Sequence, residues 1–128
     1  MGHQFSICES FQIMSVTIYH NPRCSKSRQT LALLQENGVE PEIVTYLDNP
    51  PSAEVLGNIL DMLGKEPREA MRKKEEPYKA NGLDDEGLSR DDLIAAMVAD
   101  PILIERPIVV TKGKAAIGRP PESVLDIL

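Results

Sequence analysis

The sequence lacks the residues and patterns that mark several large classes of protein. It has no Trp, three Tyr and two Phe, so the predicted core is built mainly from Ile, Leu, Val and Met. Two cysteines, Cys8 and Cys24, are too few for a secreted disulfide scaffold. No apolar run approaches the roughly 18 residues of a membrane span, and residues 1–13 do not have the pattern of a secretory signal. We therefore expect a cytoplasmic protein with reduced thiols and no membrane partner.

Charge is distributed unevenly along this acidic chain. The net charge of −6 at pH 7 argues against nonspecific nucleic-acid binding, so no nucleic-acid partner is expected. Two windows nonetheless contain cations and no acid: residues 20–35 hold three cations and residues 106–121 hold four. If the fold brings these windows together, they predict a site for a small anion.

The pattern of apolar residues predicts one α/β domain behind a short extension. Residues 1–14 end at a second methionine, Met14, and are interpreted as an extension without function. Residues 15–128 are predicted to form a single domain with elements in the order β-α-β, helical insertion, β-β-α. That is the order of a thioredoxin-like fold, with a mixed four-stranded sheet and the insertion between strands 2 and 3.

The limits of the elements follow from apolar spacing, caps and breakers. We predict strands over residues 16–20 and 42–47, and a β-hairpin that pairs residues 108–111 with 115–117. The predicted helices span residues 25–37, 52–63, 68–74, 89–97 and 122–128, with helical turns in the loop between the third and the fourth.

Cys24 lies at the first strand-to-helix turn, where a thioredoxin-like fold carries its reactive cysteine. Unpaired N–H groups at the start of a helix, the helix dipole and nearby cations all favour the thiolate. His20 lies four residues before Cys24, and Ser27, three residues after it, could hydrogen-bond the sulfur. The alternative is a small buried cysteine, but a basic turn that follows a proline is a poor place to bury one. We therefore predict that Cys24 is a nucleophile that attacks an oxyanion.

The residues after Cys24 restrict the chemistry further. The motif Cys24-Ser25-Lys26-Ser27 offers no second thiol, so reducing equivalents are expected from outside, from glutathione or a partner thiol protein. A phosphatase-type loop would need Arg at position 30, which is Thr30.

Several segments, in the same order along the chain, resemble the glutaredoxin-linked arsenate reductase family. The resemblance covers about residues 15–128, almost everything except the extension. It is carried by residues 20–28 (HNPRCSKSR), 46–47 (YL), 68–72 with 76–78 (EPY), 104–110 (IERPIVV) and 118–120 (GRP).

The resemblance implies a role for each matching residue. Cys24 would form a thiol–arsenate ester, His20 would help to hold it as the thiolate, and Ser27 would hydrogen-bond it. The guanidinium groups that would bind arsenate and the intermediates are those of Arg72, Arg106 and Arg119. Arginine suits this task because its planar fork pairs with tetrahedral oxyanions and stays charged.

The resemblance also implies the partners of the reaction, which serves arsenic detoxification. Glutathione would be the co-substrate, and glutaredoxin would supply the thiol that releases arsenite. No metal and no bound cofactor are expected. Thioredoxin-like folds place a cis-proline opposite the reactive cysteine, so Pro107 is predicted to be a structural residue of the site, with a cis Arg106–Pro107 bond.

Two other functions remain open for this fold. The first is a non-enzymatic Spx-like regulator that binds RNA polymerase, for which the three arginines would have no obvious use. The second is a monothiol oxidoreductase that acts on glutathionylated proteins. Apart from the resemblance, Arg72 lies in a run of mixed charges that is typical of a solvated helix face.

Overall fold

The structure is a computed structural model in which residues 15–128 are described. The predicted extension, residues 1–14, lies outside the described residues, and so does Cys8. Four strands form one sheet in the order β2-β1-β3-β4, with β1 parallel to β2 and the other neighbours antiparallel. The α/β class and the mixed four-stranded sheet are therefore confirmed. The strands are β1 (Val16–Tyr19), β2 (Glu42–Val44), β3 (Ile108–Thr111) and β4 (Lys114–Ile117).

The strand register brings three separate parts of the chain to one edge of the sheet. Tyr19, at the end of β1, lies opposite Val44 of the parallel β2 and Ile108 of the antiparallel β3. The end of β1, the end of β2 and the start of β3 therefore meet. Residues 20–24, 45–46 and 105–107 converge at this edge, so the fold brings the two basic windows together.

Helices and helical turns cover the sheet and fill the insertion between β2 and β3. Ser52 caps α2 by accepting the Val55 N–H, and Ser89 forms a capping box with Asp92 at the start of α4. The α-helices are α1 (Ser25–Glu36), α2 (Ala53–Leu63), α3 (Glu76–Ala80) and α4 (Arg90–Ala99). Short 3-10 helices span Pro67–Ala70, Pro101–Leu103 and Pro121–Ile127.

The core consists of two apolar clusters. One lies between α1, the sheet and the C-terminal 3-10 helix and includes the fully buried Ile18, Leu34 and Val109. The other joins the insertion to the sheet and includes Leu60 and Met97. Each such side chain contributes roughly 1.5–3 kcal/mol by leaving water. No helix within residues 15–128 is long and apolar enough to cross a membrane.

Three predicted elements differ in the structure. The helix predicted over 68–74 is wrong. A 3-10 helix ends at Ala70, and the next residue, Met71, forms an antiparallel bridge with Ile104. The physical reason is that both side chains are buried, so the chain turns to extended backbone that packs them against the core. The second strand ends at residue 44, before a turn at 46–48, and the last helix is of the 3-10 type.

Candidate active site

The turn that carries Cys24 is fixed by its own hydrogen bonds. The Cys24 N–H donates to the Asn21 carbonyl at 3.0 Å, and Asn21 Oδ1 accepts the Arg23 N–H at 2.9 Å. Arg28 Nη1 donates to the Pro22 carbonyl at 2.9 Å. Cys24 has extended backbone angles of φ −95° and ψ 124° and is the residue that precedes α1. Its sulfur therefore lies at the N-terminal end of the helix, in a partly exposed side chain.

The surroundings of Cys24 favour its ionised form. Burial alone would raise the pKa of the thiol, but the backbone N–H of Ser27, the Arg106 guanidinium and the backbone N–H of Lys26 outweigh it and lower the pKa. Cys24 does not form the short side-chain bond of an ordinary Ser or Asp helix cap with the described helix. Its larger sulfur instead faces N–H groups of the first turn, which hold a thiolate better than a thiol.

Unpaired polar atoms of Arg106 lie beside that sulfur, and the hydroxyl of Tyr46 lies near the same guanidinium group. Nε and Nη1 of Arg106 and the hydroxyl of Tyr46 are buried, and none of them has a hydrogen-bond partner within residues 15–128. Tyr46 is only 1% exposed, and burial raises its pKa, so the hydroxyl stays protonated at neutral pH. Buried polar groups without a partner are rare and destabilising. These three donors are therefore suited to the oxygens of a bound anion.

His20 and Ser27 contact each other, which differs from the expected hydrogen bond of the Ser27 hydroxyl to the sulfur. His20 Nδ1 lies 2.6 Å from Ser27 Oγ, and the same Oγ accepts the Asn21 N–H at 3.0 Å. Both side chains are buried, so the serine hydroxyl is already occupied and only the Ser27 backbone N–H serves Cys24. Burial lowers the pKa of His20, and the nearby Arg28 adds to the effect. The neutral imidazole of His20 therefore packs against the buried side of the turn that carries Cys24 and stabilises it through Ser27.

The other two predicted arginines share one carboxylate. Arg72 Nη1 and Arg119 Nε each lie 3.2 Å from Glu105 Oε1. Arg72 Nε also pairs with Glu75 Oε2 at 3.2 Å, and Arg119 Nε donates to the Arg106 carbonyl at 3.0 Å. Beside the larger effect of burial, which raises the pKa of Tyr46, the positive charge of Arg72 lowers it and the negative charge of the Cys24 thiolate raises it. Arg72, Arg106 and Arg119 thus belong to one neighbourhood, but only Arg106 acts directly on the sulfur.

Gly118 lies between Pro107, which precedes β3, and Thr30 of α1. The Arg106–Pro107 bond is cis, which confirms the prediction; the Arg119–Pro120 bond is also cis, which was not predicted. The Gly118 N–H donates to the Pro107 carbonyl at 2.9 Å. A Cβ on Gly118 would lie 2.5 Å from Thr30 Oγ1 and 2.9 Å from Pro107 Cγ, so no larger residue fits here without a shift.

Two residues of the site, Tyr46 and Glu105, were not identified as functional from the sequence. Tyr46 follows β2, whose end meets the end of the parallel β1, and this topology is the signal that could have identified it. Glu105 lies directly before the acid-free basic window that begins at Arg106. Within residues 15–128 no group of three or more His, Cys, Asp and Glu side chains could hold a metal ion.

Comparison of the sequence with known proteins identifies the family of this chain. The model of the ArsC family matches residues 19–127. The chain is 60% identical over 114 residues to the uncharacterized protein YfgD of Escherichia coli K12, covering 88% of this chain and 96% of that protein. It is 52% identical over 116 residues to an arsenate reductase of Haemophilus influenzae, covering 90% and 100% of the two chains.

A solved structure shows the same architecture. The arsenate reductase from Vibrio cholerae superposes with a TM-score of 0.88 at 57% identity, covering 90% of this chain and 98% of that one. The sheet order and the helices described above are therefore those of a thioredoxin-like ArsC protein. The chain belongs to the ArsC family.

Proposed function

We propose that this protein is an arsenate reductase that uses glutathione and glutaredoxin, with Cys24 as its nucleophile. One observation carries the proposal: two buried donors of Arg106 without partners in the described chain lie beside a thiol whose pKa is lowered, and a third such donor, the Tyr46 hydroxyl, lies near Arg106. A tetrahedral oxyanion supplies the oxygens that these donors lack. The names of the relatives from H. influenzae and V. cholerae support arsenate reduction.

The first step is attack by the Cys24 thiolate on arsenic. A sulfur–arsenic bond forms, and one arsenate oxygen leaves as water after it takes up protons from solvent. The Arg106 guanidinium, which lies beside the sulfur, would hold the remaining oxygens and their charge. Because Arg106 also stabilises the thiolate, the same residue holds the nucleophile before the bond forms and the oxyanion afterwards.

Reduction requires two electrons that the described chain does not supply. Cys24 is the one free thiol among residues 15–128, so a second thiol inside this part of the chain cannot resolve the ester. In the proposed cycle a glutathione thiol replaces a second oxygen on arsenic. A glutaredoxin thiol then attacks the glutathione sulfur, forming a mixed disulfide and leaving two electrons on arsenic. Hydrolysis of the remaining sulfur–arsenic bond releases arsenite and restores Cys24.

The neutral His20 and Ser27 support Cys24 indirectly in this scheme. Their contact at 2.6 Å fixes the turn that aims the Ser27 N–H at the sulfur. Arg72 and Arg119 would complete the oxyanion site once an oxyanion replaces the carboxylate of Glu105 between them. Pro107 would keep Arg106 at the sheet edge opposite the cysteine.

The experiment is a coupled assay with arsenate, glutathione, glutaredoxin, glutathione reductase and NADPH. Wild type is expected to consume NADPH in proportion to arsenate, whereas Cys24→Ser is expected to stay at the rate without enzyme. Equal rates for the two proteins would rule out the reductase. A glutathionylated peptide in place of arsenate tests the monothiol oxidoreductase, which would give turnover that needs no arsenate.

A further inference from the structure

We propose that Glu105 is an internal competitor for the oxyanion site and so determines how strongly the site binds its substrate. This inference rests on the proposed function only in taking an oxyanion as the ligand. In the free protein the Glu105 carboxylate lies between Arg72 and Arg119, with Oε1 3.2 Å from a nitrogen of each. It occupies the position that an oxygen of a bound anion would take between two guanidinium groups.

The backbone holds this carboxylate in place. The bridge between Met71 and Ile104 is flanked by two hydrogen bonds, from the Arg72 N–H to the Leu103 carbonyl at 2.7 Å and from the Glu105 N–H to the Ala70 carbonyl at 2.9 Å. Arg72 and Glu105 therefore flank the bridge diagonally, each on one of two short extended segments. Their contact is built into the fold and does not depend on a flexible surface loop.

The distribution of charge separates Arg106 from the other two arginines. Arg72 is paired with Glu75 and Glu105, and Arg119 is paired with Glu105, whereas Nε and Nη1 of Arg106 have no partner within residues 15–128. An incoming oxyanion can therefore contact Arg106 at once. To gain Arg72 and Arg119 it must displace the Glu105 carboxylate, and that displacement weakens its net binding.

The side chains of Glu105 and Arg72 are 22% and 23% exposed, so the pair is accessible to an anion from solvent. Removing the charge of Glu105 leaves two guanidinium groups with less competition for an added anion. We expect Glu105→Gln to bind oxyanions about three- to thirtyfold more tightly, as for the loss of two partly exposed ion pairs. If the Glu105 carboxylate only oriented the arginines, Glu105→Gln would instead bind oxyanions more weakly.

The test measures how sulfate, a tetrahedral anion that the enzyme cannot reduce by this route, protects Cys24 from alkylation by iodoacetamide. The concentration for half protection is compared in wild type, Glu105→Gln and Glu105→Asp, whose side chain is one methylene shorter and so withdraws the carboxylate from both arginines. Glu36→Gln is the control for overall charge, because it lies at the far end of α1, roughly 18 Å from Cys24. It is expected to leave half protection unchanged.

Lower half-protection concentrations for both Glu105 variants, but not for the control, support the proposal. Unchanged or higher values in both variants overturn it, and circular dichroism confirms that the variants are folded. The coupled arsenate assay separates this inference from the proposed function. Tighter sulfate binding without arsenate reduction would reject the reductase alone, whereas reduction with unchanged sulfate binding would reject the role of Glu105 alone.

Discussion

Nδ1 of His20 and Oγ of Ser27 lie 2.6 Å apart, and both side chains are buried behind the turn that carries Cys24. Ser27→Ala removes the partner of His20 and the acceptor of the Asn21 N–H at once. Because both groups stay buried, we expect a loss of about 1–3 kcal/mol in the free energy of unfolding, measured by urea denaturation. Ser25→Ala, on the exposed side of the same turn, is the control and should change it by less than about 0.5 kcal/mol. Equal effects would show that the buried contact contributes nothing.

Because His20 is buried and neutral, the stability of the protein is predicted to fall at acidic pH. Burial holds its pKa below the usual value, so above about pH 6.5 the imidazole is neutral in both the folded and the unfolded state. As pH falls below that value the unfolded chain takes up the proton first, and stability is lost. Wild type should therefore lose more unfolding free energy than His20→Asn between about pH 8 and about pH 5. Equal losses in the two proteins would contradict a depressed pKa.

Arg106 is predicted to act on both the nucleophile and the substrate. Arg106→Gln removes a positive charge from beside the Cys24 thiolate, so the pKa of the thiol should rise and alkylation at neutral pH should slow. Loss of a donor to the oxyanion should also lower kcat for arsenate by about a hundredfold. Arg23→Gln, an exposed arginine of the same turn, is the matched control. If the two variants change the alkylation rate and kcat equally, the effect comes from overall charge, and the position of Arg106 beside the sulfur does not matter.

Gly118 is predicted to be required for the packing of Pro107 against α1. A Cβ there would approach Thr30 Oγ1 to 2.5 Å, so Gly118→Ala should destabilise the protein by about 1–3 kcal/mol. Gly57→Ala offers a control inside α2, where the nearest side-chain atom, Ile94 Cδ1, lies at an ordinary 3.7 Å. That change should stabilise the protein by about 0.5–1 kcal/mol, because alanine favours a helix. Thermal unfolding of both variants gives the comparison, and a stable Gly118→Ala would refute the tight packing.

The sequence was sufficient for most of the fold because its local signals agreed with the topology. The β-branched run of β1, the proline turn and the apolar face of α1 predict the first strand and helix. The hairpin of β3 and β4 follows from a turn at Lys112-Gly113, where both residues have positive φ. The helix predicted over 68–74 was wrong because the bridge of Met71 to Ile104 is a long-range pairing. Helix propensity cannot reveal such a contact.

The site could be predicted in outline but not in its pairings. The strand-to-helix turn predicted Cys24 as the nucleophile, and the motif resemblance added Arg72, Arg106 and Arg119. Sequence spacing could not show that the Ser27 hydroxyl faces His20 while its N–H faces the sulfur. Nor could it show that Glu105 lies between Arg72 and Arg119, because the residues of that group come from three distant parts of the chain.

The most direct test of the account is the ionisation of Cys24 itself. The ultraviolet absorbance of the thiolate is followed against pH in a Cys8→Ser background, so that Cys24 is the only thiol, and Cys24→Ser in the same background gives the absorbance of the tyrosines to be subtracted. We predict a pKa clearly below the usual value of about 8.5 for a cysteine thiol, because the N–H groups of α1 and Arg106 outweigh burial. A pKa at or above that value would contradict an anionic nucleophile at the helix end and, with it, the proposed attack on arsenate.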